Sequence, residues 1–320
     1  MSHFTILYDH PQEAAWFKSL HPRLKDAAEQ GITAARSNPR LAGVLAYDRP
    51  DIILLHDERP ILVVEETVEV PSGHNVGQRF ARIAAAAEAR VPFLYFGPYV
   101  AKKHGGNTAG PRYMNLRLFR ALEAMARVTK SAITTINWPV DSRFEVRRDK
   151  DKDADVREYV DTLLSAYETH GLPGANARIL ESAIHRRSVL ERNQFASTSI
   201  KRPEQYDGPP DSVDFVPYPQ LISKHKELTG KFGAHTEVVR YNVGMKNIRS
   251  DPYTGMAMLY KYLYVQEHPS RALVLWFPEI TASAWRTAAN SRSVRKDIKL
   301  FRVAADAIVF RDTCLTRDQL

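Results

Sequence analysis

Between residues 40 and 138 the chain alternates short apolar runs with amphipathic stretches. "GVLAY", "DIILL" and the longer "ILVVEETVEV" are rich in Ile, Val and Leu and separated by turn-like segments, which predicts strands. "SGHNVGQRFARIAAAAEAR" predicts a strong helix, with Ser72 or Asn75 near its start and an Ala-rich body. "VPFLYF" at 91–96 reads as a buried strand, "NLRLFRALEAMARVTK" at 115–130 as an amphipathic helix, and "AITTINW" as another strand. The order is antiparallel strands, helix, strand, helix, strand, which is a mixed α/β core with helices packed on a sheet.

Outside that core, residues 11–36 predict a helix broken near Pro22. "VRRDKDKDADVR" at 146–157 reads as a solvated loop or helix start, with helices following near 154–169 and 175–193. Residues 196–220 carry five prolines and read as a linker or surface loop. The last hundred residues look α/β again: "TEVVRYNV", "RALVLWF" and "DAIVF" predict strands. "SDPYTGMAMLYKYLYV" predicts a helix with Asp251 as N-cap. Three parts are expected: a core over 1–145, a helical segment and Pro-rich linker over 146–220, and a C-terminal α/β lobe over 221–320.

Composition narrows the function. The 320 residues are 44% hydrophobic and 26% charged, ordinary for a globular chain. No apolar run is long enough to span a bilayer, and "MSHFTILYDHPQEAAWF" lacks the basic-then-apolar pattern of a secretory signal. A cytoplasmic protein is expected, and the single cysteine, Cys314, fits a reducing compartment and excludes an internal disulfide or a CxxC metal site. The net charge of +8 and a pI near 9.4 favour a polyanionic partner such as nucleic acid. GxGxxG, GxxxxGK[ST], HExxH and GxSxG are all absent, and the eleven histidines show no zinc spacing.

The acids inside the strands carry the candidate chemistry. If residues 51–55 and 61–65 form a hairpin with its turn centred on Glu58, Asp51 lies opposite Glu65, and paired residues on an antiparallel ladder share a face. Thr67, two further along, shares it as well. Two carboxylates with Cβ atoms about 5 Å apart repel unless a proton or cation sits between them. A hard ion such as Mg²⁺ suits such a pair. An exposed edge strand would carry the same acids without function, but acids placed within Ile/Val/Leu strands disfavour that reading.

Pro50-Asp51, the short hairpin and Glu65-Glu66-Thr67 resemble the motif of the PD-(D/E)xK nuclease superfamily, which includes most type II restriction endonucleases. The resemblance covers roughly residues 40–100. It implies a restriction-endonuclease-like α/β fold, a mixed sheet flanked by helices. It also implies that Asp51 and Glu65, with Glu66 as a further candidate, bind Mg²⁺ for hydrolysis of double-stranded DNA. Residue 67, where the family places a lysine, is Thr here; Lys102 or Lys103 could supply the missing charge. Relatives put a Gln on the next helix, and His74, Gln78 and Arg82 form one stripe there. Asp51, Glu65, Thr67 and Gln78 are thus the catalytic candidates. Arg82, Lys102, Lys103, Arg249, Arg292, Arg295, Lys296 and Lys299 are the DNA-contact candidates. A homodimer and a cognate DNA methyltransferase come with the restriction-enzyme analogy. A DNA-binding protein that has lost catalysis, or a nuclease activated by a partner in defence or transposition, are the alternatives.

Overall fold

In the computed structural model, which describes residues 3–71, 75–102, 110–244, 255–290 and 296–320, the apolar runs of the N-terminal half build one mixed sheet. Its strands are β1 (Phe4–Tyr8), β2 (Ala28–Gly31), β3 (Ile52–His56), β4 (Arg59–Glu66), β5 (Phe93–Gly97) and, after a separate ribbon of β6 (Val100–Lys102) and β7 (Pro111–Tyr113), β8 (Ile133–Asn137). Their order is β2-β1-β3-β4-β5-β8. β3 is antiparallel to both β1 and β4, while β4, β5 and β8 run parallel. The helices of this half are α1 (Pro11–Ser19), α2 (Ile32–Ala35), α3 (Asn75–Glu88), α4 (Leu116–Thr129), α5 (Ala154–Leu180) and α6 (Ala183–Ser199). One face of the sheet, with Ile52, Leu54, Leu62 and Val64, packs on Phe17 of α1 and on Val160, Leu163 and Leu164 of α5. Each such side chain contributes about 1.5–3 kcal/mol on leaving water. α5 changes direction at Gly171, whose φ of 64° lies in the left-handed region that glycine tolerates.

The C-terminal half forms a second sheet, β13-β12-β11-β10-β9, from β9 (Val213–Pro217), β10 (Glu237–Asn242), β11 (Arg271–Phe277), β12 (Ala307–Phe310) and β13 (Cys314–Thr316). Its helices are α7 (Tyr218–Lys224), α8 (Met256–Tyr260), α9 (Ala282–Ala289) and α10 (Lys296–Ala304). No helix among the described residues is long and apolar enough to cross a membrane.

Two compact units result: Met1–Ser72 with Arg82–Asn115 and Met125–Lys201, and Gly73–Ala81 with Leu116–Ala124 and Arg202–Leu320. This differs from the three parts expected. Residues 146–201 belong to the first unit, because the apolar face of α5 completes that sheet's core.

Other differences have local causes. "GVLAY" is a series of turns, not a strand: Leu45 N donates to Leu41 O, and Leu41 and Val44 fill the core from that turn. The helix expected over 11–36 ends at Ser19, and the chain returns as β2, an exposed polar edge strand without an apolar signature. β9 lies within the expected Pro-rich linker, with its one proline, Pro217, at its last position. "ILVVEETVEV" leaves the sheet after Glu66, where Thr67 Oγ1 accepts from Glu69 N at 3.1 Å and turns the chain, exposing Val68 and Glu69. The expected N-cap Asp251 lies outside the described residues.

Candidate functional site

The ladder between β3 and β4 pairs Ile52 with Val64, Ile53 with Val63 and Leu54 with Leu62, which brings Asp51 and Glu65 across from each other at the ladder's end. The turn is not centred as expected. A bulge between Leu54 and Leu55 shifts the register by one, and the turn residues are Asp57 and Glu58, at φ of 46° and 65°. Two left-handed residues are what a two-residue turn needs to match the strand twist. Only the far end of the hairpin is affected, so the pairing of the acids survives.

Asp51 is fixed by its backbone neighbour: Glu66 N donates to Asp51 Oδ2 at 2.8 Å. Its other oxygen, Oδ1, lies 3.3 Å from Arg82 Nη1. That nitrogen also donates to both oxygens of Glu65, each at 2.8 Å, while Arg82 Nε reaches Asp48 Oδ2 at 3.3 Å. Glu65 is 1% exposed. Arg82 stands on α3 at the head of Ile83-Ala84-Ala85-Ala86-Ala87, all buried, and small side chains there allow close helix packing. Three carboxylates thus surround one guanidinium.

The charges are unequal, and Asp51 shows it. Burial, then the Glu65 charge, push its carboxyl up to about 8, against the pull of Arg82. For Arg82, burial opposes the charged form, but Glu65, Asp48 and Asp51 more than offset it, so the guanidinium holds its proton more firmly than usual. Because Asp51 is raised in the folded state, the folded protein binds more protons than the unfolded chain between the ordinary carboxylate range and about pH 8. Stability therefore falls as pH rises through that window. The urea midpoint should be higher near pH 6 than near pH 8, with a shallower dependence in Asp51→Asn; equal slopes would show that Asp51 is not the group responsible.

The opposite face of β4 carries Glu66, so Glu66 does not join the Asp51–Glu65 pair as the third ligand anticipated. Burial, and then Glu13 and Asp153, push its carboxyl up to about 7 against the pull of Lys152. Lys152 was expected on a solvated run, yet its side chain is only 12% exposed. Its ammonium lies 4.5 Å from the Trp138 ring centre and 5.4 Å from those of Trp16 and Phe96. Trp16 Nε1 donates to Asp153 Oδ1 at 3.0 Å, closing this second charged cluster.

The remaining candidates scatter. Thr67 is buried and engaged with the Glu69 backbone, which makes it a turn-former. It is also pressed against Gly97, where an added Cβ would come within 2.7 Å of the Thr67 methyl. Gln78 is half-buried on the part of α3 that belongs to the second unit. Arg82 faces the acids rather than a phosphate-binding stripe. Lys102 Nζ pairs with Glu145 at 2.8 Å on the surface, a contact too weak to withhold it from another anion. Lys299 is exposed on α10, which Lys296 begins. His74, Lys103, Arg249, Arg292 and Arg295 lie outside the described residues.

Sequence reasoning missed Asp48, although "YDRPD" places it three positions before Asp51. It also missed a cluster in the second unit, where His225, Glu227 and Cys314 bring their ligand atoms within 4.8 Å of one another. The cysteine stands 89 positions from the histidine, and no local spacing signals that.

The acids fit a hard divalent ion in donor chemistry. Asp51 and Glu65 already share one cationic group, and oxygen donors of this kind are what a hard ion takes. Arg82 engages the oxygens that such an ion would take. Compared with known proteins, the chain matches no family model, no curated protein and no solved structure.

Proposed function

We propose that the first unit is a Mg²⁺-dependent nuclease that hydrolyses phosphodiester bonds of double-stranded DNA. The observation that carries this reading is the convergence of Asp51 and Glu65 on one cation at the end of the β3–β4 ladder. The chain order β4, α3, β5, α4, β8, a mixed α/β arrangement with parallel strands, supports this reading. Asp51 and Glu65 would hold the ion, which when bound supplies an activated water and neutralises charge on the attacked phosphate. Arg82 brings a fixed positive charge beside Glu65, the charge that Thr67 cannot supply. Glu66 N orients Asp51 by donating to the oxygen that Arg82 leaves. A type II restriction endonuclease, acting as a homodimer beside a cognate methyltransferase, is the specific form the resemblance favours.

A DNA-binding protein without catalysis is the second reading, and one observation favours it: Arg82 already bridges the acids that an ion would need. Supercoiled plasmid with Mg²⁺ or Mn²⁺ separates the two. Nicking or linearisation by wild type but not by Asp51→Ala supports the nuclease. Salt-sensitive binding by both, with cutting by neither, supports the binder.

A further inference from the structure

We propose that His225 Nδ1, Cys314 Sγ and the Glu227 carboxylate form a binding site for a d-block divalent cation, with Zn²⁺ the biological ion that fits. The three donors come from separate places in the second unit. His225 follows the last turn of α7, Glu227 lies in the single turn Lys226–Leu228, and Cys314 opens β13. Their ligand atoms all lie within 4.8 Å of one another, and Sγ is 3.3 Å from Nδ1. Two ligands on one tetrahedral zinc ion, with bonds of about 2.3 Å to sulfur and 2.0–2.1 Å to nitrogen, stand at about this separation.

The backbone holds this arrangement in place. His225 N donates to Leu221 O, Leu228 N to His225 O, and Tyr218 Oη to Leu228 O at 2.6 Å. Cys314 pairs with Val309 across the β12–β13 ladder and belongs to an apolar cluster with Leu221 and Leu228. The Glu227 carboxylate lies within the same 4.8 Å group as the Cys314 thiol and the His225 ring nitrogen.

Burial grades across the cluster in the way a metal site open on one side requires. Cys314 is 5% exposed, His225 is half-buried and Glu227 is exposed. Three protein ligands then leave a fourth position towards solvent for water or a further donor. A nitrogen–sulfur–oxygen set selects a borderline-soft ion and disfavours Mg²⁺ and Ca²⁺, which take oxygen. Coordination replaces the Cys314 S–H bond by a sulfur–metal bond, with the proton leaving to the buffer and no change of oxidation state. The bound ion would clip β13, an edge strand, to the turn after α7, independently of what the first unit does.

Titrating the full-length protein with Co²⁺ tests this. The chain has one cysteine, so a thiolate-to-cobalt charge-transfer band can come only from Cys314. The expected result is such a band in wild type, removed by Zn²⁺, absent in Cys314→Ser, and needing at least about tenfold more Co²⁺ in His225→Ala. Zn²⁺ should also raise the melting temperature of wild type but not of Cys314→Ser. Wild type without the band in excess Co²⁺ overturns the proposal, a result that needs no variant to fold. A band whose affinity is unchanged in His225→Ala also overturns it, since the thiol would then bind alone.

Discussion

Replacing Arg82 by Met should destabilise the protein by about 3–5 kcal/mol in buffer free of divalent ions, the scale on which losing one partner of a buried ion pair acts. The Arg82 side chain is 21% exposed and is the cation that Asp48, Asp51 and Glu65 share. Without it, three carboxylates remain at one place. Asp51, raised to about 8, is already largely protonated near pH 7, so the loss falls mainly on the contacts to Glu65 and Asp48. If the acids also form a cation site, Mg²⁺ should recover part of the loss: about 2.7 kcal/mol at a hundred times its dissociation constant. Wild type should gain less, because the guanidinium competes for the same oxygens. Arg82→Lys should sit between the two, since an ammonium cannot span Glu65 and Asp48 as the planar fork does. Urea unfolding with and without Mg²⁺ measures all of these. A variant as stable as wild type would show that the three contacts carry little energy. A destabilised variant indifferent to Mg²⁺ would show that the acids pair with arginine alone.

If the first unit is the nuclease proposed above, Glu65→Gln should lower its Mg²⁺-dependent DNA cleavage by more than about a hundredfold, beyond the ten- to hundredfold cost of losing an outer-shell partner. The amide matches the carboxylate in shape and still offers Arg82 one acceptor oxygen, so the packing around β4 is kept, while the lost charge of the Arg82 pair lowers stability by less than Arg82→Met does. What it removes is charge at a group that is 1% exposed and shares a cation with Asp51. Lost cleavage in a variant whose urea midpoint keeps it folded in the assay is therefore a statement about ion binding and not about folding. Cleavage within a few-fold of wild type would remove Glu65 from the site.

The hairpin was legible because its pattern is strong on both sides. "DIILL" and "ILVV" are continuous buried runs, and counting back from the turn placed Asp51 opposite Glu65. The count survived a misplaced turn centre because the bulge at Leu54 absorbed the difference. The failures came where tertiary context overrides a local pattern. Lys152 and Asp153 belong to a charged run, yet the run passes beside Trp16 and Trp138, and their rings take the ammonium in. Arg82 sits on a polar stripe whose direction is set by which turn of α3 meets the acids, a fact that periodicity does not contain. Asp48 reaches the site through that same side chain. The Cys314 cluster is assembled by sheet pairing across distant segments, and no spacing rule reports it.

A crystal soaked in Mn²⁺ and measured for anomalous scattering goes most directly to the point. The expected result is a peak between Asp51 and Glu65 with the Arg82 guanidinium moved off their shared oxygens. No peak there, with Arg82 still holding both carboxylates under saturating Mn²⁺, would contradict a divalent-ion site and with it the proposed hydrolysis.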